Sequence, residues 1–445
     1  MSARPDASRL PFIPTGHGPP LHVERAEGCE LVLADGRRLL DAAGGAILAH
    51  VGHGRREVAE AVARSLETEG YVVPVFSTPS RVRLVARLQE RWLPPGITRV
   101  YLTSGGSESM DAALRLARQV QVARGEHQRT QMIGRELSYH GTTLATLAVG
   151  GHPKRRQGLE PLLPPWPKAP ACYCLRCPLG LSRPACEVAC ARFLEEIVAR
   201  EGAHRIAAFV AEPIVGSTAG ALVPPDDYWP TVAEICRNHG ILLIADEVMT
   251  GFGRTGRRFA VEHFGVTPDI LVGGKGLAAG YAPMGGVFAR EEVVAELARS
   301  GDEFMYYTYG AHPAGCAAAD RVLDILEREE LVERAARMGA VLASALEAEL
   351  GDHPHVAEIR GRGLLQAVEL VRDRDRLEPF PAEARLAGRV VVEALQRGVF
   401  FYPGGGDPAR DVICLGPPLV VGEAQIRTAA AVLREAIDAA VARAA

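Results

Sequence analysis

The sequence predicts an α/β protein in which a mainly parallel sheet carries helices on both faces and a smaller α+β domain follows. Short apolar runs alternate with helical patterns between residues 99 and 290, and this alternation is typical of parallel βαβ units. From about residue 325 the pattern changes, because two helical stretches, 329–350 and 383–397, flank an apolar run at 364–370. No internal repeat or low-complexity segment indicates another class of fold.

The chain has 445 residues, of which 47% are hydrophobic and 23% are charged, and these fractions are ordinary for a globular protein. Its 50 basic and 54 acidic side chains leave a formal net charge of −4, which gives no reason to expect nucleic-acid binding. No uninterrupted apolar run approaches the roughly 18 residues of a membrane span, and residues 1–20 lack the apolar centre of a signal peptide. We therefore expect a cytoplasmic enzyme that keeps its 9 cysteines mostly as thiols.

The first elements lead to a possible anion site. A strand and turn are predicted at residues 31–37, a helix through residues 58–66, a second helix at 81–93 and a strand at 99–103. That strand runs into a Ser-Gly-Gly-Ser turn, which includes Gly106 and Ser107, and then into a strong helix. Free backbone N–H groups at such a helix start attract anions. A plain glycine turn with Ser107 as the N-cap is the alternative.

Two further candidates follow a strand predicted at residues 131–134. Tyr139 is suited to stacking on a planar ligand, and ordinary packing is the alternative for an aromatic side chain. His140 is a candidate general base, although a single histidine is more often structural.

Residues 150–190 are rich in proline and cysteine and predict a long irregular excursion. Five of the cysteines have the spacing C-x-C-x2-C-x8-C-x3-C, at Cys172, Cys174, Cys177, Cys186 and Cys190. Zinc binding is one interpretation, but the spacing is not the usual pair of C-x2-C knuckles. Free thiols are the interpretation that we prefer, and no metal is expected in the active site.

Two apolar runs in the middle of the chain end on groups that carry chemistry. The run 241–245 stops at Asp246, and the run 270–272 precedes the glycine-flanked Lys275. Such runs predict buried strands. If the strands are parallel, acid and amine emerge at the C-terminal edge of one sheet, where open α/β sheets bind ligands. An aspartate that holds the proton of a ring nitrogen and a lysine that forms a Schiff base are the two protein groups that pyridoxal phosphate needs.

The remaining elements complete the alternation. Strands are predicted at 205–211, which ends on Glu212, at 284–289 and at 412–415, and helices at 227–239, at 291–299 and from residue 314.

These residues and the motifs around them resemble the class III aminotransferases, which are fold-type I enzymes that use pyridoxal phosphate. The resemblance covers nearly the whole chain. Its motifs are SGGSES at 104–109, YHG at 139–141, EPIVGSTAG at 212–220, DEVMTGFGRTG at 246–256, PDILVGGKGLAAGYAPMGG at 268–286, TYGAHPAGCAAA at 308–319 and RGRGLL at 360–365. Their order and spacing together are far more specific than any one of them.

The resemblance implies a large domain with a mainly parallel seven-stranded sheet flanked by helices, plus a smaller α+β domain. Residues 1–65 would contribute to the small domain, residues 66–325 would form the large cofactor-binding domain, and residues 326–445 would form the C-terminal small domain. The resemblance also implies a homodimer with shared active sites, with no membrane or nucleic acid as a partner.

The resemblance assigns a role to each candidate residue. Lys275 forms the Schiff base, Asp246 holds the pyridine nitrogen, Gly106 and Ser107 bind the phosphate, Tyr139 and Val248 cover the two faces of the ring, Thr308 reaches the phosphate from the neighbouring subunit, Glu212 lies near substrate and cofactor, and His140 is counted among the cofactor-binding residues. The implied reaction is a ping-pong transfer of an amino group from an amine or amino acid to a 2-oxo acid or aldehyde, with the freed lysine as general base.

Two positions depart from the family pattern. Tyr402 stands where many relatives carry an arginine that grips a substrate carboxylate, and a tyrosine cannot supply that bidentate, charged contact. Met249 stands where several relatives have a glutamine next to the cofactor. Tyr402 and Glu212 are the candidate substrate residues. An aminomutase, racemase or decarboxylase is the alternative on the same fold, and a metal-binding module built around the cysteines is the non-enzyme alternative.

Overall fold

The computed structural model of this chain describes residues 21–443. Its strands are β1 (Val23–Glu27), β2 (Glu30–Leu33), β3 (Arg38–Asp41), β4 (Ile97–Thr103), β5 (Gln131–Arg135), β6 (Lys168–Ala169), β7 (Ile206–Ala211), β8 (Leu242–Asp246), β9 (Ile270–Gly273), β10 (Gly285–Arg290), β11 (Val356–Arg362), β12 (Leu365–Leu370), β13 (Val399–Phe400), β14 (Tyr402–Gly406) and β15 (Ala409–Leu415). Residues 1–20, which open the N-terminal segment expected at 1–65, lie outside the described residues, as do residues 444–445.

The helices alternate with these strands through the middle of the chain. They are α1 (Gly44–Ile47), α2 (Arg56–Thr68), α3 (Pro79–Arg87), α4 (Gly106–Ala123), α5 (Leu144–Val149), α6 (Pro153–Arg156), α7 (Ala189–Glu201), α8 (Tyr228–Asn238), α9 (Glu291–Ser300), α10 (Pro313–Arg328), α11 (Leu331–Leu350), α12 (Leu386–Gln396) and α13 (Glu423–Ala442).

A seven-stranded sheet forms the centre of the fold, in the order β4-β10-β9-β8-β7-β5-β6. The strands from β6 to β9 in this order pair in parallel, whereas β10 runs antiparallel to both β4 and β9. The predicted α/β class with a mainly parallel, seven-stranded sheet is therefore confirmed.

The central strands are covered on both faces, as β8 shows. Leu243 and Ala245 join the apolar cluster on one face of the sheet, whereas Leu242 and Ile244 join the cluster that includes α4. Because successive side chains of a strand point to opposite faces, a strand covered on both faces must be apolar throughout. This is why the central strands stand out in the sequence as unbroken apolar runs.

Two smaller sheets complete the architecture. One contains the N-terminal strands β1, β2 and β3 together with β13, and the other has the order β11-β12-β15-β14. β13 pairs in parallel with β3, where Val399 lies opposite Leu40, so that the N-terminal strands share a sheet with a strand from the last quarter of the chain. Helix α13 packs on both α11 and α12, and α11 and α12 pack on the second of these sheets, which gives the expected smaller α+β part.

The sequence patterns did not predict several elements that the structure contains. β14 spans Tyr402–Gly406 although it contains a proline and three glycines, which weaken a strand signal, and it lies at a sheet edge, where it pairs with β15 alone. Helix α7 begins at the end of the region expected to be irregular. The expected domain boundary at residues 325 and 326 falls inside α10, and the division into domains stays a prediction.

Candidate active site

A cavity of about 460 Å³ lies at the C-terminal ends of the parallel strands. Most of the residues singled out in the sequence line its wall: Gly106, Ser107, Tyr139, His140, Glu212, Asp246, Val248 and Lys275. Leu48, Gly216, Ser217, Met249 and Met284 also line the wall. Six separate stretches of the chain thus converge on one space.

Two neighbouring strands deliver the acid and the amine to this cavity. β8 and β9 are parallel, with Asp246 opposite Val272, and Lys275 follows the end of β9. The expectation that both strands run in the same direction is therefore confirmed. Of the two carboxylates after the apolar run of β8, only Asp246 lines the cavity. Glu247 is buried in the core, where its Oε1 accepts the backbone N–H of Val261 at 2.8 Å.

Lys275 has a positive backbone φ and a side-chain amine with a lowered pKa. Its φ of +35° lies in the left-handed region, a conformation that costs a residue with a side chain about 1–3 kcal/mol and that is found mostly at functional sites. Burial lowers the pKa of the Lys275 amine to about 8. The charge of Arg254 lowers this pKa further, while the charge of Asp246 opposes both effects. A lysine with a pKa near 8 is partly unprotonated at neutral pH, as a nucleophile must be.

Two hydrogen bonds fix the Asp246 carboxylate in the cavity wall. Its Oδ2 accepts a hydrogen bond from Nδ1 of the buried His140 at 2.7 Å, and its Oδ1 accepts the backbone N–H of Val248 at 3.0 Å. Because an ionised carboxylate only accepts, Nδ1 of His140 carries a proton. Within residues 21–443, the other ring nitrogen, Nε2, is buried and has no hydrogen-bond partner. The histidine therefore orients the acid and still offers one polar atom.

The glycine turn after β4 forms a cradle for an anion. Helix α4 begins at Gly106 and has no side-chain cap at its N-terminus, so the N–H groups of its first turn are free to bind a negative group. A Cβ atom at Gly106 would lie 2.8 Å from Cγ1 of Val248, which explains why the position needs glycine. Ser107 Oγ accepts the backbone N–H of Thr142 at 3.2 Å, and this bond ties the turn to the loop after Tyr139.

Glu212 carries a second carboxylate into the cavity wall. Its Oε1 accepts the backbone N–H groups of Tyr139 at 3.3 Å and Gly216 at 3.4 Å. Burial raises the pKa of the Glu212 carboxyl, while the charges of His140 and Arg135 act to lower it. Arg135 is fully buried behind this residue and donates to its carbonyl oxygen at 2.7 Å. The sequence patterns did not single out Arg135, since a charged residue at the end of a strand gives no sign of burial.

Comparison with known proteins identifies the family. The family model for class III aminotransferases matches residues 12–437. This chain belongs to the class III aminotransferases. An uncharacterized aminotransferase of Schizosaccharomyces pombe is 36% identical over 433 residues, which cover 96% of this chain and 94% of the relative. The putrescine–pyruvate aminotransferase of Pseudomonas aeruginosa is 34% identical over 418 residues, or 94% and 90% of the two chains.

The solved structures give the same result. A thermostable (S)-enantioselective omega-transaminase from Thermomicrobium roseum is similar to this chain with a TM-score of 0.89 and 39% identity, over 96% of this chain and 93% of that one. The protein is thus a pyridoxal-phosphate-dependent aminotransferase whose substrates are amines or amino acids and oxo acids. The expected enzyme class, reaction and cofactor are confirmed, and the comparisons give no support to the aminomutase, racemase or decarboxylase alternative.

The cavity of this aminotransferase fits pyridoxal phosphate. It offers an anion cradle at the start of α4, an amine with a lowered pKa and a carboxylate held by hydrogen bonds. In the described part of the chain, two buried polar atoms of the wall also lack hydrogen-bond partners, Nε2 of His140 and Oε2 of Glu212. Buried polar atoms are rarely left unpaired, and a polar ligand in the cavity would supply partners for them.

Two predicted residues do not line the cavity within this chain. Thr308 is exposed in an aromatic run, and its carbonyl oxygen accepts the hydroxyl of Tyr71 at 3.0 Å. The role expected for Thr308 at a neighbouring subunit stays a prediction. Tyr402 is half-buried at the start of β14, next to the cavity but not in its wall. Met249, which replaces the glutamine of several relatives, does line the wall.

The five cysteines of the proline- and cysteine-rich excursion lie apart from this cavity. They are free thiols that line a separate void of about 30 Å³. In residues 21–443, no group of three or more histidine, cysteine, aspartate or glutamate side chains is arranged to hold a metal ion. None of the helices in the same range is long and apolar enough to cross a membrane.

Proposed function

We propose that Lys275, Asp246 and the turn at Gly106 hold pyridoxal phosphate and that the chain moves amino groups through this cavity. The observation that carries the proposal is the convergence of one amine and one carboxylate from the ends of two adjacent parallel strands, β8 and β9, on one cavity. Lys275 is also the one lysine of the chain's three that lines the cavity, since Lys154 and Lys168 lie in the excursion.

Each wall residue has a task in this proposal. Lys275 would hold the cofactor through its side-chain amine, and this lysine amine would take and return the proton at the substrate carbon. Asp246, held by His140, keeps the ring nitrogen protonated. When bound, the cofactor supplies an electron sink for the bond that breaks at the substrate carbon. Tyr139 and Val248 confine the ring between them.

The donor that we propose is a compound with a terminal primary amine, and the acceptor is a small 2-oxo acid. The support comes from the relatives, because the Pseudomonas aeruginosa relative is named for putrescine as donor and pyruvate as acceptor. A taurine–pyruvate aminotransferase of Bilophila wadsworthia is 34% identical over 414 residues. Taurine likewise carries a primary amine at the end of its chain.

We also propose that the enzyme works as a cytoplasmic homodimer in which Thr308 completes the phosphate site of the partner subunit. The exposure of Thr308 supports this assembly, as do nearby large apolar side chains with high exposed fractions, including Met305 at 69%, Tyr309 at 66% and Phe76 at 63%. An apolar surface of this kind is typical of an interaction site. We propose that residues 1–65 and 326–445 form the small domain and that residues 66–325 form the large domain. The sheet that β1, β2 and β3 share with β13 supports this division.

Chemical reduction tests the assignment of Lys275. Treatment of the cofactor-loaded enzyme with borohydride would fix the cofactor to its lysine, and peptide mass mapping would then locate it. We expect the label on Lys275. Lys168 is an internal control, because burial lowers the pKa of its amine to about 8 as well. Labelling of Lys168 would show that the reactivity of an amine, and not its position in the cavity, determines where the cofactor is attached. A label on Lys154 or Lys168 would refute the proposal.

A half-reaction tests the reaction class. With an amine donor alone, a transaminase accumulates the amine form of the cofactor, which is seen by absorbance, whereas a racemase or mutase returns to the aldehyde form. We expect accumulation in the parent enzyme and a rate at least about a hundredfold lower in Lys275→Ala, since a positioned general base contributes roughly 10²–10⁴-fold. Parent-like half-reaction rates in Lys275→Ala would contradict the proposed role.

A further inference from the structure

Arg155 places a positive charge directly beside the active-site cavity. Its guanidinium carbon lies 4.3 Å from the centre of the Tyr139 ring, and Tyr139 lines the cavity. Within residues 21–443, Arg155 forms no ion pair and no side-chain hydrogen bond. Its charge nevertheless acts on the cavity, because it lowers the pKa of the Lys275 amine, after the larger effect of burial.

The helix that carries Arg155 is fixed against the strand that begins at Tyr402. His152, which precedes α6, contacts the carbonyl oxygen of Gly405 through Nε2 at 3.3 Å. The backbone N–H of Gly405 in turn donates to the carbonyl oxygen of Ser217 at 2.8 Å, and Ser217 lines the cavity. Arg155 therefore belongs to the same corner of the site as Tyr402, the position at which many relatives are expected to carry an arginine.

We propose that Arg155 binds the carboxylate of the substrate, in place of an arginine at position 402. This inference rests on the proposed function of the cavity and specifies its substrates as amino acids and oxo acids whose carboxylate points toward Tyr139. A guanidinium stacked on an aromatic face keeps its N–H edges free, and those edges form paired, charge-assisted hydrogen bonds with a carboxylate. The face of Tyr139 sets the plane in which these bonds form.

A binding measurement tests the carboxylate site without relying on turnover. Propanoate, which has a carboxylate but no amino or oxo group, is titrated into the cofactor-loaded enzyme and followed by calorimetry. We expect the dissociation constant to rise about tenfold to a hundredfold in Arg155→Gln, as the loss of a charge-assisted contact implies. Lys154→Gln, which removes the neighbouring exposed charge of the same helix, is the matched control and should stay within about twofold of the parent enzyme.

A pair of donors separates carboxylate binding from a purely structural role. In the half-reaction, 3-aminopropanoate and propylamine differ only by the carboxylate. Arg155→Gln should raise the half-saturating concentration of 3-aminopropanoate by the same factor as for propanoate, with the limiting rate nearly unchanged and propylamine unaffected. An equal loss for both donors would mean that Arg155 merely supports Tyr139, and it would overturn the proposal.

The outcomes also separate this inference from the proposed function. If the parent enzyme does not bind propanoate, or binds it as tightly as Arg155→Gln does, the carboxylate site is refuted even when transamination proceeds. If propanoate binding depends on Arg155 but no donor produces the amine form of the cofactor, the proposed reaction fails and the carboxylate site stands.

Discussion

The lowered pKa of Lys275 has a cost in stability that can be measured. The amine has a pKa of about 8 in the folded protein, against an ordinary value of 10.5. Below pH 8 the lysine is protonated in both the folded and the unfolded chain, and the folded state carries the full penalty of a charged, buried amine. Each pKa unit corresponds to 1.36 kcal/mol, so the penalty is about 3 kcal/mol. It disappears as the pH rises from 8 to above 10, where both states become neutral.

Replacing Lys275 with methionine removes this penalty while keeping a similar shape. Unfolding entropy is about 2.1 cal/mol/K per residue, so a chain of 445 residues gains roughly 1 °C in Tm per kcal/mol. We define the gap as the Tm of Lys275→Met minus the Tm of the parent, both measured on cofactor-free protein. We expect this gap to be about 3 °C larger at pH 7 than above pH 10. Differential scanning calorimetry over this pH range measures the gap.

A gap that does not change with pH would refute the reasoning, because it would mean that the Lys275 amine titrates as it does in water. A gap that grows with pH would give the wrong sign and would refute it as well. Lys154→Met is the control, since Lys154 is exposed and its replacement should leave the pH dependence of Tm unchanged. The expected result also means that the catalytic amine is kept at the expense of stability, as is common at active sites.

Two further predictions concern Gly106 in the cavity wall and Tyr281, which lies between the wall residues Gly280 and Ala282 in the sequence. Gly106→Ala should weaken cofactor binding about tenfold or more, measured by titration of the cofactor-free protein, because the new Cβ would lie 2.8 Å from Val248; such overpacking costs roughly 1–3 kcal/mol. Gly105→Ala is its control, since a Cβ there meets no heavy atom within 4 Å, and an equal loss in both variants would contradict the steric explanation. Tyr281→Phe should lower the unfolding free energy by about 1–3 kcal/mol in urea titrations, because the Tyr281 hydroxyl accepts the backbone N–H of Arg55 at 2.7 Å; an unchanged midpoint would contradict it.

The parts of this protein that could be predicted from its sequence are those with a local signature. β8 and β9 were recognisable because strands covered on both faces must be apolar throughout, and Asp246 and Lys275 follow their ends directly. Parallel neighbours place such residues at one edge of a sheet. The fold class and the pair at the centre of the site therefore follow from short stretches of sequence.

The parts that could not be predicted depend on where distant segments return. Arg135 is buried against Glu212. No sequence pattern around Arg135 or around Glu212 indicates that these two residues, 77 positions apart, contact each other. Arg155 stacks on Tyr139, and His152, which precedes α6, contacts Gly405 of β14. β14 itself lacks a strand signal because it is rich in glycine. The role proposed for Thr308 depends on a second chain, which no pattern within one chain specifies.

The reversed direction of β10 has a consequence for how this enzyme can change over evolution. A parallel successor to β9 would need a crossover that returns to the opposite edge of the sheet. The antiparallel β10 needs only the segment from Gly274 to Met284, and both ends of this segment line the cavity, at Lys275 and at Met284. The proposed covalent anchor and part of the cavity wall therefore lie on a single short piece of chain. Leu277, Ala278 and Ala279 are buried in the core, but Ala282 and Pro283 line the cavity without being fully buried. Substitutions at these two positions would reshape that wall without moving any strand, so new substrates can be acquired there at little risk to the fold.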